Sequence, residues 1–220
     1  MFVFDDKDNF RINLRRSIQM ALISKIKRFF SPKVIKPKSK YIHIGCGFHK
    51  FKNFDNLDFY NSSLSFWKKK DYIPHDFRYR LPFDDNVYEG AFSEHTLEHL
   101  YFNDAKYLMS EICRVLKKSS IFRCTVPGLD IFIENYNEKK KDKYFSSFDT
   151  GCDALRDLTH NWGHLNVWDK ETLKRELINA GFSSAKVCQF GVGENIELVK
   201  DLEDRAFQTI YLVEKFLLLP

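Results

Sequence analysis

From residue 41 onward, strand-like and helix-like segments alternate, and this alternation restricts the fold more than any other feature of the chain. The runs "KYIHIG", "NFDNLDF", "DYIPHDF", "VYEGAFSE", "SIFRCTVPG", "SAKVCQFG" and "FQTIYLVEKF" are β-branched and aromatic, with turn-forming residues at their ends. Between them, helical spacing of apolar residues predicts helices from about Asn103 to Lys117, from about Asp130 to Lys141, and over "DKETLKRELINAGF". The last has Asp169 as its N-cap and Gly181 at its C-terminal end. Such an order predicts an α/β fold: a Rossmann-like, seven-stranded, mainly parallel sheet flanked by helices. The polar stretch before the last helix, rich in Asp, His and Gly, reads as a loop.

Residues 1–40 are set apart by charge and form a basic helix and linker ahead of a domain at 41–220. Between Arg11 and Lys40 there are ten Lys or Arg and no acid, while the whole chain carries only +5, so the domain itself is slightly acidic. Leu14, Ile18, Leu22, Ile26 and Phe29 recur at helical spacing among these cations, and "SPKVIKPKSK" follows as a proline-broken linker. A basic amphipathic helix at 11–30 can lie on an anionic membrane surface or bind an acidic partner. It can also pack its stripe on the domain, and both readings stay open here. The acidic domain argues against nucleic acid as a partner.

No apolar run approaches the ~18 residues of a membrane span, and the acidic start "MFVFDDKDNF" argues against a secretory leader. The five cysteines are odd in number and never paired as CxxC. That pattern predicts free thiols and a cytoplasmic setting, peripheral at the inner face of the membrane if the helix binds lipid.

In an open parallel sheet, ligands bind beyond the carboxyl ends of the strands. The first strand ends in "GCG", where Gly45 and Gly47 allow a tight turn and close approach of the backbone. Asp58 ends the second strand and suits the two hydroxyls of a ribose; Asp76 ends the third and suits an adenine amino group. After the fourth strand comes "SEHTLEHL", whose His95, Glu98 and His99 stand in the inverted zinc spacing H-x-x-E-H, with Glu176 as a distant third ligand. That reading leaves "GCG" and the segments around it unexplained. The reading adopted therefore includes no metal, with a zinc metallopeptidase as the remote alternative.

The segments "YIHIGCG", "NLDF", "HDFRYRLPFDDNVYEGAFSEHTLEHL", "EICRVLKKSSIFRCTVPGLD" and "LKRELINAGF" together resemble the successive motifs of class I S-adenosylmethionine-dependent methyltransferases. The likeness is to the "type 11" branch, and in particular to small bacterial members associated with surface-polysaccharide loci. It runs from about Tyr41 to Phe216 and departs from the pattern in three places. Lys50 stands where a third glycine is usual, "FHKFKNF" is too short for a first helix, and "KKSS" replaces a "KPGG" turn.

The resemblance implies S-adenosylmethionine as cofactor. Gly45, Cys46 and Gly47 would face its methionine part, Asp58 its ribose, and Asp76 with Phe77 its adenine. Ser93, Glu94 and His95 would face the methyl group and the acceptor. A hydroxyl acceptor needs a base, and His95 is the first candidate, with Glu94 second.

The insertion "CDALRDLTHNWGHLNVWD" carries His160, Trp162, His164 and Trp168, residue types that bind sugars. It points to a saccharide or other small-molecule acceptor, or else to an ordinary loop cover. A methyltransferase-like scaffold without activity is the other alternative, because fold alone does not confer function.

Overall fold

The computed structural model describes residues 22, 24–26, 29, 34–59, 71–138 and 144–215. The seven predicted strands are all present: β1 (Tyr41–Ile44), β2 (Phe54–Asp58), β3 (Ile73–Pro74), β4 (Tyr88–Glu94), β5 (Leu116–Pro127), β6 (Ser184–Cys188) and β7 (Thr209–Lys215). They form one sheet in the order β3-β2-β1-β4-β5-β7-β6. Strands β1 to β5 are parallel, and β7 runs antiparallel between β5 and β6. The order reverses between β1 and β4, which places a crevice at their carboxyl ends.

The helices are α1 (Phe102–Val115), α2 (Leu129–Glu138), α3 (Gly151–Arg156) and α4 (Lys170–Asn179). Helix α1 buries Ala105, Leu108, Met109, Ile112 and Val115, one stripe at three- and four-residue spacing. Helix α4 starts where expected, with Asp169 accepting from Thr172 N–H at 2.7 Å, and the chain leaves it through Gly181 at φ 110°.

Two of the quoted motifs are joined through one guanidinium. Arg114 of "RVLK" donates to the Phe83 and Leu81 carbonyls of "LPFDD" at 2.8 and 3.1 Å, and to Asp85 at 2.7 Å. Glu111 completes the clamp by accepting from Leu81 N–H at 2.7 Å. The two segments are therefore held to each other physically.

No helix connects β1 to β2, as the short segment predicts. The face it would cover is filled by aromatic packing instead. His43 stacks on Phe51 with ring centroids 4.6 Å apart and lies near Phe92 at 5.2 Å, and Leu198 from the β6–β7 connection packs with Phe54 and Phe92. Burial lowers the His43 pKa to about 4.

Two expectations need correction. The predicted loop before α4 holds α3 and then a π-helical turn, Asp157–Asn161. Its polar residues supply the local bonds: Thr150 and Asp153 form a capping box. Asp157 accepts from Asn161 Nδ2 at 2.7 Å, Trp162 Nε1 at 2.9 Å and Tyr144 Oη at 2.5 Å. Trp168 is fully buried against Phe102, with centroids 5.4 Å apart, so it is core and offers no face to a sugar.

Part of the basic segment is described as well. Leu22, Ser24–Ile26 and Phe29 are helical, yet Leu22, Ile26 and Phe29 are exposed while Ser24 is buried and donates to Asp76. The described part of the apolar stripe thus faces outward; Leu14 and Ile18 lie outside the described residues. Residues 34–40 are pinned to the domain through Ile35 N–H to the Pro82 carbonyl at 2.7 Å and Lys38 N–H to Asp55 at 2.9 Å.

All five cysteines are free, and Cys152 is exposed. Among the described residues, no helix is long and apolar enough to cross a membrane.

Candidate functional site

The crevice at the carboxyl ends of β2, β1 and β4 gathers most of the expected residues. The chain leaves β1 through Gly45 and Gly47, both with positive φ (74° and 50°). Gly45 is forced by contact as well, because a Cβ there would stand 2.0 Å from Thr96 Oγ1. A Cβ on Gly47 would meet nothing within 4 Å, so open space lies beside it.

The amide hydrogens of this loop are already used. Gly45 and Cys46 both donate to the Leu57 carbonyl at 2.9 Å, and Gly47 donates to Asp58 Oδ2 at 2.5 Å. What the loop can present to a ligand is therefore carbonyl oxygen, which suits a cation such as an ammonium group. Cys46 is buried, and burial together with nearby Asp58 pushes its thiol up to about 12, so it is no nucleophile.

Asp58 accepts one amide on each oxygen, from Gly47 and from Phe59, both at 2.5 Å, which leaves further lone pairs on each. Burial raises its pKa, opposed by those two amides. Asp76 is differently engaged. Arg78 holds it bidentately, Nε to Oδ1 at 2.9 Å and Nη2 to Oδ2 at 2.8 Å, and Ser24 also donates to Oδ2. Burial pushes Asp76 up, but these donors outweigh it and the pKa falls. Phe77 beside it is buried in the main core.

At the end of β4, Ser93 Oγ is buried without a hydrogen-bond partner. Glu94 accepts from Leu202 N–H at 2.9 Å, and burial raises its pKa to about 7, against the pull of Leu202 and Arg205. His95 turns the chain sharply at φ 49°. Its Nε2 lies 2.8 Å from Thr209 Oγ1 and its Nδ1 lies 3.6 Å from Glu98 Oε1. Burial, then Arg205, hold the ring well below the usual histidine pKa, so it is neutral near pH 7.

The H-x-x-E-H spacing does not build the peptidase arrangement. That needs two histidines one α-helical turn apart, whereas His95 is in the left-handed region and Leu97–His99 is a single 3-10 turn. Glu176 lies on α4, where it pairs with Arg175 at 2.7 Å and Lys106 at 3.4 Å. The partner of Glu98 and His99 is His164, from the insertion.

The insertion packs on the turn after β4. Leu165 N–H donates to the Glu98 carbonyl at 2.7 Å, and Asn166 Nδ2 donates to the Leu100 and Leu97 carbonyls at 2.6 and 3.1 Å. His160 is exposed and bonded to its neighbour Thr159, while Trp162 is 62% exposed.

Sequence reasoning missed the β6–β7 connection, which supplies Leu202, Arg205 and the approach to Thr209. Arg123 on β5 holds it: Nε donates to Asp201 Oδ1 at 2.6 Å, Nη1 donates to the Val192 carbonyl at 2.8 Å, and both charged side chains are 1% exposed. An Arg inside the apolar "SIFRCTVPG" was the one available signal, because a buried charge requires a partner.

Residues 44–124 match the family model described as a methyltransferase domain. No curated protein matches the chain. An S-adenosylmethionine-dependent methyltransferase from Archaeoglobus fulgidus superposes with a TM-score of 0.53 at 18% identity, covering 96% of this chain and 100% of that one. One from Thermotoga maritima, described as a possible histamine N-methyltransferase, has a TM-score of 0.54 at 15% identity, covering 95% and 99%. The structural likenesses establish the fold. With the domain match, they support an S-adenosylmethionine-dependent methyltransferase and S-adenosylmethionine as its cofactor.

Proposed function

We propose that this chain transfers a methyl group from S-adenosylmethionine to a hydroxyl of a saccharide-type or other small-molecule acceptor. The observation that carries the reading is the junction of Gly47 N–H with Asp58 Oδ2 at 2.5 Å beside open space, at the switch point of the sheet. A carboxylate with spare lone pairs fits a ribose diol, and the loop's carbonyl oxygens fit a methionine ammonium. Asp76 borders the adenine, whose amino group would share Oδ2 with both Arg78 and Ser24. Bound S-adenosylmethionine supplies an electrophilic methyl on a sulfonium, which requires alignment at about 3 Å more than acid chemistry.

Two groups at the end of β4 compete as proton acceptor. Both ring nitrogens of His95 face protein partners, Thr209 and Glu98. Glu94 has a pKa near 7 and a single backbone donor, which suits proton transfer at neutral pH. Glu94 is therefore the proposed base and His95 the residue that positions the turn. Trp162, His160 and His164 border the acceptor side, in keeping with the packing of the insertion on that turn.

Residues 11–30 are proposed to hold the protein on an anionic membrane surface at the cytoplasmic side, ahead of the catalytic domain at 41–220. The outward-facing Leu22, Ile26 and Phe29 support this.

Calorimetry with S-adenosylhomocysteine tests the core of the reading. One site is expected, weakened about 10- to 150-fold in Asp58→Ala by the loss of charge-assisted hydrogen bonds. Glu94→Gln should bind normally and lose about 10²–10⁴-fold in turnover. Absence of binding by the unaltered protein would leave the inactive-scaffold reading in its place.

A further inference from the structure

The carboxylate of Glu98 is 1% exposed, and neither of its oxygens accepts a hydrogen bond. Burial pushes its pKa up to about 8, so near pH 7 the side chain is held largely as the neutral acid, and a cation bound beside it would take the place of that proton. Two imidazoles face it, His95 Nδ1 at 3.6 Å and His99 Nε2 at 3.9 Å from Oε1, and the charges of Arg205 and Glu94 also act on it. One ligand atom each from Glu98, His99 and His164 lies within 4.8 Å of the other two.

The hydrogen bonds of the two clustered histidines fix which nitrogen carries the lone pair. His99 Nδ1 faces the Gly163 carbonyl at 3.3 Å, and His164 Nδ1 faces the Leu158 carbonyl at 2.5 Å. A carbonyl only accepts, so each Nδ1 carries the proton and each Nε2 the lone pair. Backbone carbonyls in this position orient the histidines of metal sites. His95 extends the pattern. Thr209 Oγ1 donates to the Arg205 carbonyl at 2.7 Å, so His95 Nε2 is the donor to Thr209 and its Nδ1 presents a lone pair toward Glu98.

We propose that Glu98, His99 and His164 bind one divalent transition-metal ion of the zinc type, at the seam between the turn after β4 and the 157–166 insertion. Two imidazoles and a carboxylate suit zinc, cobalt or nickel better than magnesium or calcium. Two ligands of a tetrahedral ion with ~2.1 Å bonds stand ~3.4 Å apart; His99 and Glu98 are 3.9 Å apart and all three ligand atoms lie within 4.8 Å of one another, so the side chains draw together when the ion binds. His99 is the exposed member of the cluster, with 41% of its side chain accessible, and Glu98 the buried one. The ion ties the insertion to the end of β4, continuing the contacts that Asn166 and Leu165 already make there. This is not the H-x-x-E-H peptidase constellation, since the insertion supplies a ligand and His95 does not.

The test uses the full chain, stripped with a chelator and then titrated with Zn²⁺ against a weak competing chelator. Co²⁺ serves as a spectroscopic stand-in. We expect one equivalent per chain, a rise in Tm with Zn²⁺, and visible absorption of tetrahedral Co²⁺. His99→Ala and His164→Ala should each weaken binding at least ~100-fold, beyond the effect of losing an orienting partner. His160→Ala, which changes an exposed histidine outside the cluster, should retain it. Lack of stoichiometric binding by the unaltered protein would overturn the proposal. So would binding that survives His164→Ala, or binding lost in His160→Ala. Far-UV circular dichroism of the stripped variants establishes that each is folded before titration.

Discussion

Replacing Gly45 by alanine should damage both stability and cofactor binding, through two costs. The φ of 74° is left-handed, which costs an L-residue ~1–2 kcal/mol. The new methyl would stand 2.0 Å from Thr96 Oγ1, 2.6 Å from Cγ2 and 2.8 Å from Cβ. Thr96 has little freedom to retreat, because it is buried and its hydroxyl lies 3.2 Å from the carbonyls of both Ile44 and Glu94. Overpacking of this kind costs a further ~1–3 kcal/mol, for a total of about 2–5 kcal/mol. Thr96→Gly removes every atom that the methyl would strike, so a double-mutant cycle should recover the steric part and leave the φ part. Urea unfolding of the four proteins measures this, with calorimetry for the cofactor. A Gly45→Ala change within ~0.5 kcal/mol, the range of an ordinary surface substitution, would refute the argument. A coupling of zero with Thr96→Gly would refute the steric half.

Three further outcomes follow from the same structure. The folded pKa of His43 lies below its unfolded value, so its contribution to stability is complete above pH 6.5 and lost as pH falls through about 4. The loss is roughly 3 kcal/mol, and His43→Phe should flatten stability over that window in urea titrations at several pH values. Asp201→Ala leaves Arg123 buried and unpaired, which should destabilise by about 3–5 kcal/mol; a change under ~1 kcal/mol in chemical unfolding would deny the burial. Vesicles containing anionic lipid should sediment the full chain less well as salt rises, and deletion of residues 1–38 should abolish the binding.

The fold was legible because its signals are local. Strand alternation, the Asp169 cap and Gly181 each act within a few residues, and all appear where expected. The meeting of Gly45, Gly47 and Asp58 at the ends of consecutive strands was legible for the same reason. The rest of the site was hidden by distance. Nothing near Glu94 indicates Leu202, 108 residues away, and nothing near His99 indicates His164. Trp168 was misread because tryptophan suits a sugar face and a core equally well, and only the packing against Phe102 decides. The insertion read as a loop because its turns are held by side chains, which leave no apolar period to detect.

The replacement of a first helix by Leu198 and its neighbours has a kinetic meaning. The contacts that seal the end of β4 join residues far apart in sequence: Arg123 with Asp201 over 78 positions, Glu94 with Leu202 over 108, His95 with Thr209 over 114. Closing such long loops costs entropy before any contact repays it, so assembly waits on the C-terminal segment. A chain that has emerged through Cys188 already contains β1 to β6 and every residue proposed above to face the cofactor. It still lacks the cover over Phe92, the partner of Arg123 and the backing of Glu94 and His95. The cluster at the end of β4 is complete only once the segment from Asp201 to Thr209 has joined it.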